Sequence, residues 1–107
     1  MLNFAMVLSG CGKEDGSDVW EVVLLSYFLS KKGVIPHFFA PDWEQKEVSD
    51  HLTKTVSLDR RNVLKESARI AGEAIRDVGT LSGKDVDALI LPGGEGIEAA
   101  GRLVRKQ

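Results

Sequence analysis

Phe4-Ala5-Met6-Val7-Leu8, halted by Ser9-Gly10-Cys11-Gly12 and followed from Asp18 by a long apolar run, is the stretch that decides the fold of this chain. A short, nearly all-apolar segment that stops at glycines has the pattern of a strand buried on both faces, the kind found in parallel sheets. From Asp18 to Lys32, the residues Val19, Trp20, Val22, Val23, Leu24, Leu25, Tyr27, Phe28 and Leu29 leave only a thin polar stripe, which predicts a largely buried helix. Asp15, Ser17 and Asp18 are available to cap its start, and Lys31, Lys32 and Gly33 suit its end. One strand thus leads into one helix, the opening half of a parallel α/β unit.

Downstream, Val34 to Ala40 reads as a second strand, and Pro36 within it removes a ladder donor and places it at or near a sheet edge. Trp43 to Asp59 mixes weak alternation with charge, as a small excursion or hairpin would. Leu64, Ala68, Ala71 and Ile75 form one helical face within Asn62 to Arg76. Asp87 to Leu91 is a third buried strand stopped by Pro92-Gly93-Gly94, after which Ile97, Ala100, Leu103 and Val104 restart a helical pattern. Three main strands are fewer than a doubly wound sheet commonly has, and they would leave an apolar strand with a bare edge. The expectation is one α/β domain over residues 1–107, a flavodoxin-like parallel sheet sandwiched by helices, comprising the N-terminal part of the full fold.

The 107 residues are 43% hydrophobic and 28% charged, the balance of a single globular unit. With 14 Lys plus Arg against 16 Asp plus Glu, the net charge of −2 provides no attraction for nucleic acid or an anionic membrane. One cysteine closes no internal disulfide and builds no cysteine zinc site, and His37 and His51 add no recognised metal spacing. No apolar run is long enough to span a bilayer, and the start at Met1 shows no basic region with a cleavage site, so the expected location is cytoplasmic.

Ligands of open α/β sheets gather beyond the carboxyl ends of the strands, which directs attention to Ser9–Ser17, Pro41-Asp42 and Pro92–Gly96. The first loop lacks the Gly-Lys-Ser/Thr ending of a phosphate loop, has Asp15 where a dinucleotide fingerprint needs glycine, and carries Glu14 and Asp15 where a pyrophosphate would be repelled. A tight turn explains it; a nucleotide with its ribose on Asp42 is the weaker reading. Glu21, in the first turn of the predicted helix, is either an acid–base group aimed at the crevice or an ordinary helix-start charge. Gly93 and Gly94 can present successive N–H groups to a developing oxyanion, or simply make a strand-to-helix turn. Cys11 precedes a helix N-terminus but has no assignable base, the pattern of a small structural cysteine.

Taken together, Ser9-Gly10-Cys11-Gly12 with Asp15-Gly16-Ser17 and Glu21, Phe39-Ala40-Pro41-Asp42, Asp50-His51-Leu52, Arg61-Asn62-Val63-Leu64 with Glu66-Ser67-Ala68-Arg69-Ile70, and Asp87-Ala88-Leu89-Ile90-Leu91-Pro92-Gly93-Gly94 resemble the ElbB-like family. That family is also described as isoprenoid biosynthesis proteins with an amidotransferase-like domain, in the PfpI branch of the class I glutamine amidotransferase-like superfamily. The resemblance runs from about residue 4 to residue 96. It implies a glyoxalase-type activity, converting glyoxal or a related small dicarbonyl to a hydroxy acid without cofactor or metal. It further implies Glu21 as the active-site acid, Gly93 and Gly94 on the oxyanion side, and Cys11 as the first-loop cysteine bordering the substrate. The nucleophilic cysteine of that family follows the next strand, beyond Gln107, so this chain alone is expected to be inactive. A homodimer or a complementing chain is the implied partner, and a noncatalytic interaction subunit is the alternative function. Bacterial members would be cytoplasmic and eukaryotic ones mitochondrial. Trp20 stands where relatives usually carry histidine, and Glu95 where an aromatic residue commonly follows the glycine pair.

Overall fold

The computed structural model describes residues 2–96. In chain order these form β1 (Phe4–Val7), α1 (Val19–Lys31), β2 (His37–Ala40), β3 (Val48–Asp50), β4 (Thr55–Ser57), α2 (Val63–Ala71), β5 (Arg76–Asp77), a 3-10 turn (Val78–Thr80) and β6 (Ala88–Ile90). The main sheet is parallel with strand order β5-β2-β1-β6, and β3 and β4 form a separate antiparallel hairpin. The helical pattern expected from Ile97 onward lies outside the described residues.

Alternation along the central strands explains the layering. Met6, Leu8 and Ala40 point to one face, where Val22 of α1 and Val63 of α2 close a core that Leu25, Leu29, Leu64 and Ile90 extend. Ala5, Val7 and Phe39 point to the other face and pack on Val78, with Leu81 and Val86 alongside. Both helices therefore lie on one face, as right-handed crossovers running in a single direction from β1 through β2 to β5 require. On the opposite face the described cover is the 3-10 turn and the segment after it.

Three expectations change. The helix predicted over Asn62 to Arg76 begins on the Asn62 cap, whose Oδ1 accepts the Lys65 N–H at 2.9 Å, but ends at Ala71. Gly72, at φ +88°, turns the chain out of the helix, and Arg76 and Asp77 pair with Phe39 and Ala40 as an added strand. The second strand, expected from Val34 with Pro36 inside it, begins only at His37; it lies near the sheet edge, flanked by the two-residue β5, and Pro36 falls just before its first residue, where a missing donor costs no ladder bond.

The third change concerns α1. Its ends are as expected, with Asp18 accepting the Trp20 N–H at 3.0 Å and Gly33 at φ +77° after the last turn. It is not largely buried, however. Val22 alone is buried along the helix, while Trp20 is 80% exposed and Phe28 59%. One contact face suffices to hold a helix on a sheet, and here it consists of Val22, Leu25 and Leu29. The remaining apolar side chains, Val19, Trp20, Val23, Leu24, Tyr27 and Phe28, are only partly covered by the described residues. No helix among the described residues is long and apolar enough to cross a membrane.

Candidate functional site

Chain connections leave β1 toward β2 on one side, while β6 pairs with β1 on the other, so β1 marks the point where strand order changes direction. The loops after β1, β2 and β6 meet above it. Residues 8–18 fold into a tight turn in which several N–H groups are bonded within the turn and others to neighbouring segments. Gly12 N–H donates to Ser17 O (2.9 Å), Gly16 N–H to Gly12 O (2.7 Å), and Ser9 N–H to the hydroxyl of Ser17 (2.9 Å). Gly10 N–H donates to the buried Ser67 hydroxyl at 2.9 Å, which ties the loop to α2. The amides of Ser9, Gly10, Gly12, Glu14, Gly16 and Ser17 are so committed and do not point at a common anion, and the turn reading of this loop accounts for its geometry.

The loop after β6 docks on this turn through its backbone. Asp18 N–H donates to Gly93 O at 2.6 Å, Glu95 N–H to Lys13 O at 3.0 Å and Gly96 N–H to Gly16 O at 3.1 Å. The approach is close enough that a Cβ on Gly94, itself at φ +127°, would run into the backbone of Gly16, Ser17 and Asp18. Glu21, in the first turn of α1, folds its carboxylate over Gly93, so that any side chain at position 93 would collide with it. Glu21 and the Gly93-Gly94 pair thus occupy one corner. The N–H groups of Gly93 and Gly94 have no hydrogen-bond partner among the described residues.

Cys11 lies elsewhere. It lines a cavity of about 330 Å³ between the first loop and the β3–β4 hairpin, with Asp15, Ser49, His51, Arg61 and Glu66 among the walls and neither Glu21 nor the glycine pair. Burial pushes the Cys11 thiol above its ordinary value of 9.0; Arg69 opposes the rise, and Glu66 and Asp15 add to it. His51 provides no base for the thiol. Its Nε2 accepts the Glu14 N–H at 3.1 Å, and its Nδ1 faces the carbonyl of Ser49 at 3.2 Å, which assigns the ring proton to Nδ1. His37 is exposed at the opening of β2, at the opposite end of the sheet from the loops.

Some contributors carry no sequence signal of their own. Asp15 was a candidate helix cap, yet its Oδ2 accepts the Ser49 N–H at 2.8 Å and fastens the hairpin to the first loop. Ser67, one serine in a helix, is fully buried beneath Gly10. Trp43 and Glu95, brought together by folding, line a second crevice of about 270 Å³ above the strand ends with Ser9, Glu14 and Lys46. Among the described residues, no three His, Cys, Asp or Glu side chains converge as a metal site.

Comparison with known proteins follows the same outline. No protein-family model matches the chain. It is 46% identical over 93 residues to the mitochondrial ES1 protein homolog of Rattus norvegicus, covering 86% of this chain and 35% of the relative. It is 42% identical over 100 residues to the mitochondrial ES1 protein of Danio rerio, covering 89% and 37%. A human relative, glutamine amidotransferase-like class 1 domain-containing protein 3, mitochondrial, is 46% identical over 93 residues, covering 86% and 35%. The crystal structure of an isoprenoid biosynthesis protein with amidotransferase-like domain from Ehrlichia chaffeensis superposes with a TM-score of 0.89 at 35% identity, covering 98% of this chain and 58% of that one. The chain therefore spans little more than a third of the length of the curated relatives, and its parallel sheet with helices is of the flavodoxin-like, amidotransferase-like kind.

Proposed function

Starting from a chain of the glutamine amidotransferase-like superfamily, we propose that the Glu21–Gly93 corner is the acid–base and oxyanion half of a glyoxalase-type active site of the ElbB-like kind, in the PfpI branch. The observation that carries this reading is the Glu21 carboxylate lying over Gly93, beside two backbone N–H groups left without partners among the described residues. The substrate class is glyoxal or a related small dicarbonyl. A cysteine thiolate, from polypeptide outside this chain, adds to one aldehyde carbon, and the oxygen that becomes anionic is held by the amides of Gly93 and Gly94. Glu21 removes the proton from that carbon and returns it to the neighbouring carbonyl carbon, so that one carbon is oxidised to the thioester level as the other is reduced to an alcohol. Water then releases the hydroxy acid and the thiol, and no external electron carrier takes part.

The test is glyoxal turnover by the chain once it is joined to, or assembled with, the region carrying that cysteine. Glu21→Gln is expected to lower kcat by about 10²-fold or more, the usual share of a general acid–base group, with the fold retained. Unchanged turnover refutes the role.

The edge of β6 that is unpaired among the described residues favours a second reading, a noncatalytic subunit that completes its sheet on another chain. Under that reading, the assembled protein forms a stable complex and turns over no dicarbonyl. For location, the mitochondrial names of the three animal relatives support the mitochondrial alternative over the cytoplasmic expectation.

A further inference from the structure

The cavity bordered by Cys11 includes neither Glu21 nor the glycine pair, and the proposed chemistry uses none of its walls. Three segments enclose its volume of about 330 Å³: the first loop, the β3–β4 hairpin and the approach to α2. Hydrogen bonds tie these segments to one another. Asp15 Oδ2 accepts the Ser49 N–H at 2.8 Å, His51 Nε2 accepts the Glu14 N–H at 3.1 Å, and the Gln45 N–H donates to Arg61 O at 2.7 Å. A hollow held in this way exists before any ligand arrives, and its size is at the small end of ligand sites.

Its polar groups are unequally matched. Asp15, Asp50, Asp59 and Glu66 line it with carboxylates, against the single guanidinium of Arg61. Arg61 is already engaged: Nη1 donates to Glu66 Oε1 at 2.8 Å, and Nη2 lies 3.5 Å from Asp59 Oδ2. Asp50 Oδ1 accepts the N–H groups of Leu52 and Thr53. Asp15 differs. Its side chain is only 7% exposed, yet Oδ1 has no hydrogen-bond donor among the described residues. The ring nitrogen beside it, His51 Nε2 at 3.7 Å, turns its lone pair to the Glu14 N–H and has no proton to give. A carboxylate oxygen so enclosed and still lacking a donor is a strong acceptor open to the cavity.

The missing donor defines what fits. Excess carboxylate selects a cation, and Oδ1 of Asp15 requires one that carries an N–H group. A metal ion lacks its ligand set, because no three His, Cys, Asp or Glu side chains converge among the described residues. An anion would meet the carboxylates while the Arg61 donors face Glu66 and Asp59. The Cys11 thiol and the buried Val48 add a less polar stretch of wall. We propose that this cavity is a binding site for a small primary ammonium compound, its N–H group donating to Oδ1 of Asp15 and its short aliphatic stem lying against Cys11 and Val48.

The experiment titrates the 107-residue chain with n-butylammonium chloride at constant ionic strength near neutral pH, read by amide NMR shifts and by calorimetry. Saturable one-to-one binding is expected, with shifts concentrated at Asp15, Ser49 and their neighbours. Thiol exchange of Cys11 with dithiodipyridine should slow severalfold at saturation, because the stem covers the thiol. Asp15→Asn keeps an acceptor for the Ser49 N–H but places an amide donor where the open oxygen was, and should weaken binding by about tenfold or more. Glu73→Gln, which removes an exposed carboxylate outside the cavity, should leave binding unchanged. Where circular dichroism shows that Asp15→Asn does not fold, protection of Cys11 in the unaltered chain decides. Tetramethylammonium has the same charge and no N–H, and butyrate has the opposite charge. Equal binding of tetramethylammonium, preference for butyrate, shifts and protection that spare the first loop and hairpin, or unchanged binding by folded Asp15→Asn would each overturn the proposal. None of these outcomes bears on the Glu21–Gly93 corner, whose test is turnover.

Discussion

The carboxylate of Glu21 lies directly over the α-carbon of Gly93, so a helix start and a strand end far apart in sequence define one corner of the molecule. A Cβ at position 93 would displace that carboxylate, a coupling that neither segment shows alone. Gly93→Ala should push the Glu21 carboxylate out of its place at a cost of under about 1 kcal/mol, because the colliding atoms end a flexible, exposed side chain. Thermal melting measures this, and in the Glu21→Ala background, where the colliding carboxylate is gone, Gly93→Ala should cost still less.

Gly94 should be less forgiving than Gly93. Its Cβ would meet the backbone of Gly16, Ser17 and Asp18 rather than the end of a flexible side chain, and its φ of +127° is one that L side chains rarely adopt. Gly94→Ala is expected to lower the melting midpoint more than Gly93→Ala does, and to speed amide exchange at Asp18, Glu95 and Gly96, whose bonds hold the two loops together.

Ser67 tests the tie between the first loop and α2. Its hydroxyl is fully buried and accepts the Gly10 N–H, so Ser67→Ala leaves a buried donor unpaired. A loss of about 1–3 kcal/mol in chemical denaturation is expected, without loss of helical signal.

Cys11 should behave as a reluctant thiol. Burial raises its pKa above 9.0, so its alkylation by iodoacetamide near neutral pH is expected to be slower than that of a free cysteine and to climb well past pH 9 before levelling. The sign for stability follows. The folded chain holds this proton more tightly than the unfolded one, so the contribution is fully present below the ordinary value of 9.0 and is lost as pH rises from there through the raised folded value. Arg69→Ala should slow alkylation further, since Arg69 opposes the rise, and Glu66→Gln should quicken it.

His51 joins the hairpin to the first loop by accepting the Glu14 N–H, and Asp15 joins them again through the Ser49 N–H. Either His51→Ala or Asp15→Asn should raise exchange at those amides while moving the global midpoint little, because the contacts lie at an exposed hairpin.

Much of the fold was legible because period and punctuation act locally. The apolar run ending at Leu8, the cap at Asp18 and the periodic apolar face that starts near Asn62 each depend on a few adjacent residues and were legible, whereas the stop at Gly72 was passed over. β5 was not legible, since Arg76-Asp77 has no strand pattern and pairs only because Gly72 redirects the chain toward β2. Exposure of α1 was equally hidden: apolar residues around a helix state that it can be covered, and only neighbouring elements determine which side is.

The amino-acid sequence by itself determined the parallel α/β class and pointed to Glu21 and the Gly93-Gly94 pair, because strand–helix alternation and chemical type are properties of the linear order. Tertiary structure alone decided that Glu21 rests on Gly93 while Cys11 faces a different cavity, and that Leu24 and Phe28 of α1 are left about half exposed. These are relations among segments distant in the chain, set by sheet order and the handedness of the crossovers, and no local pattern encodes them.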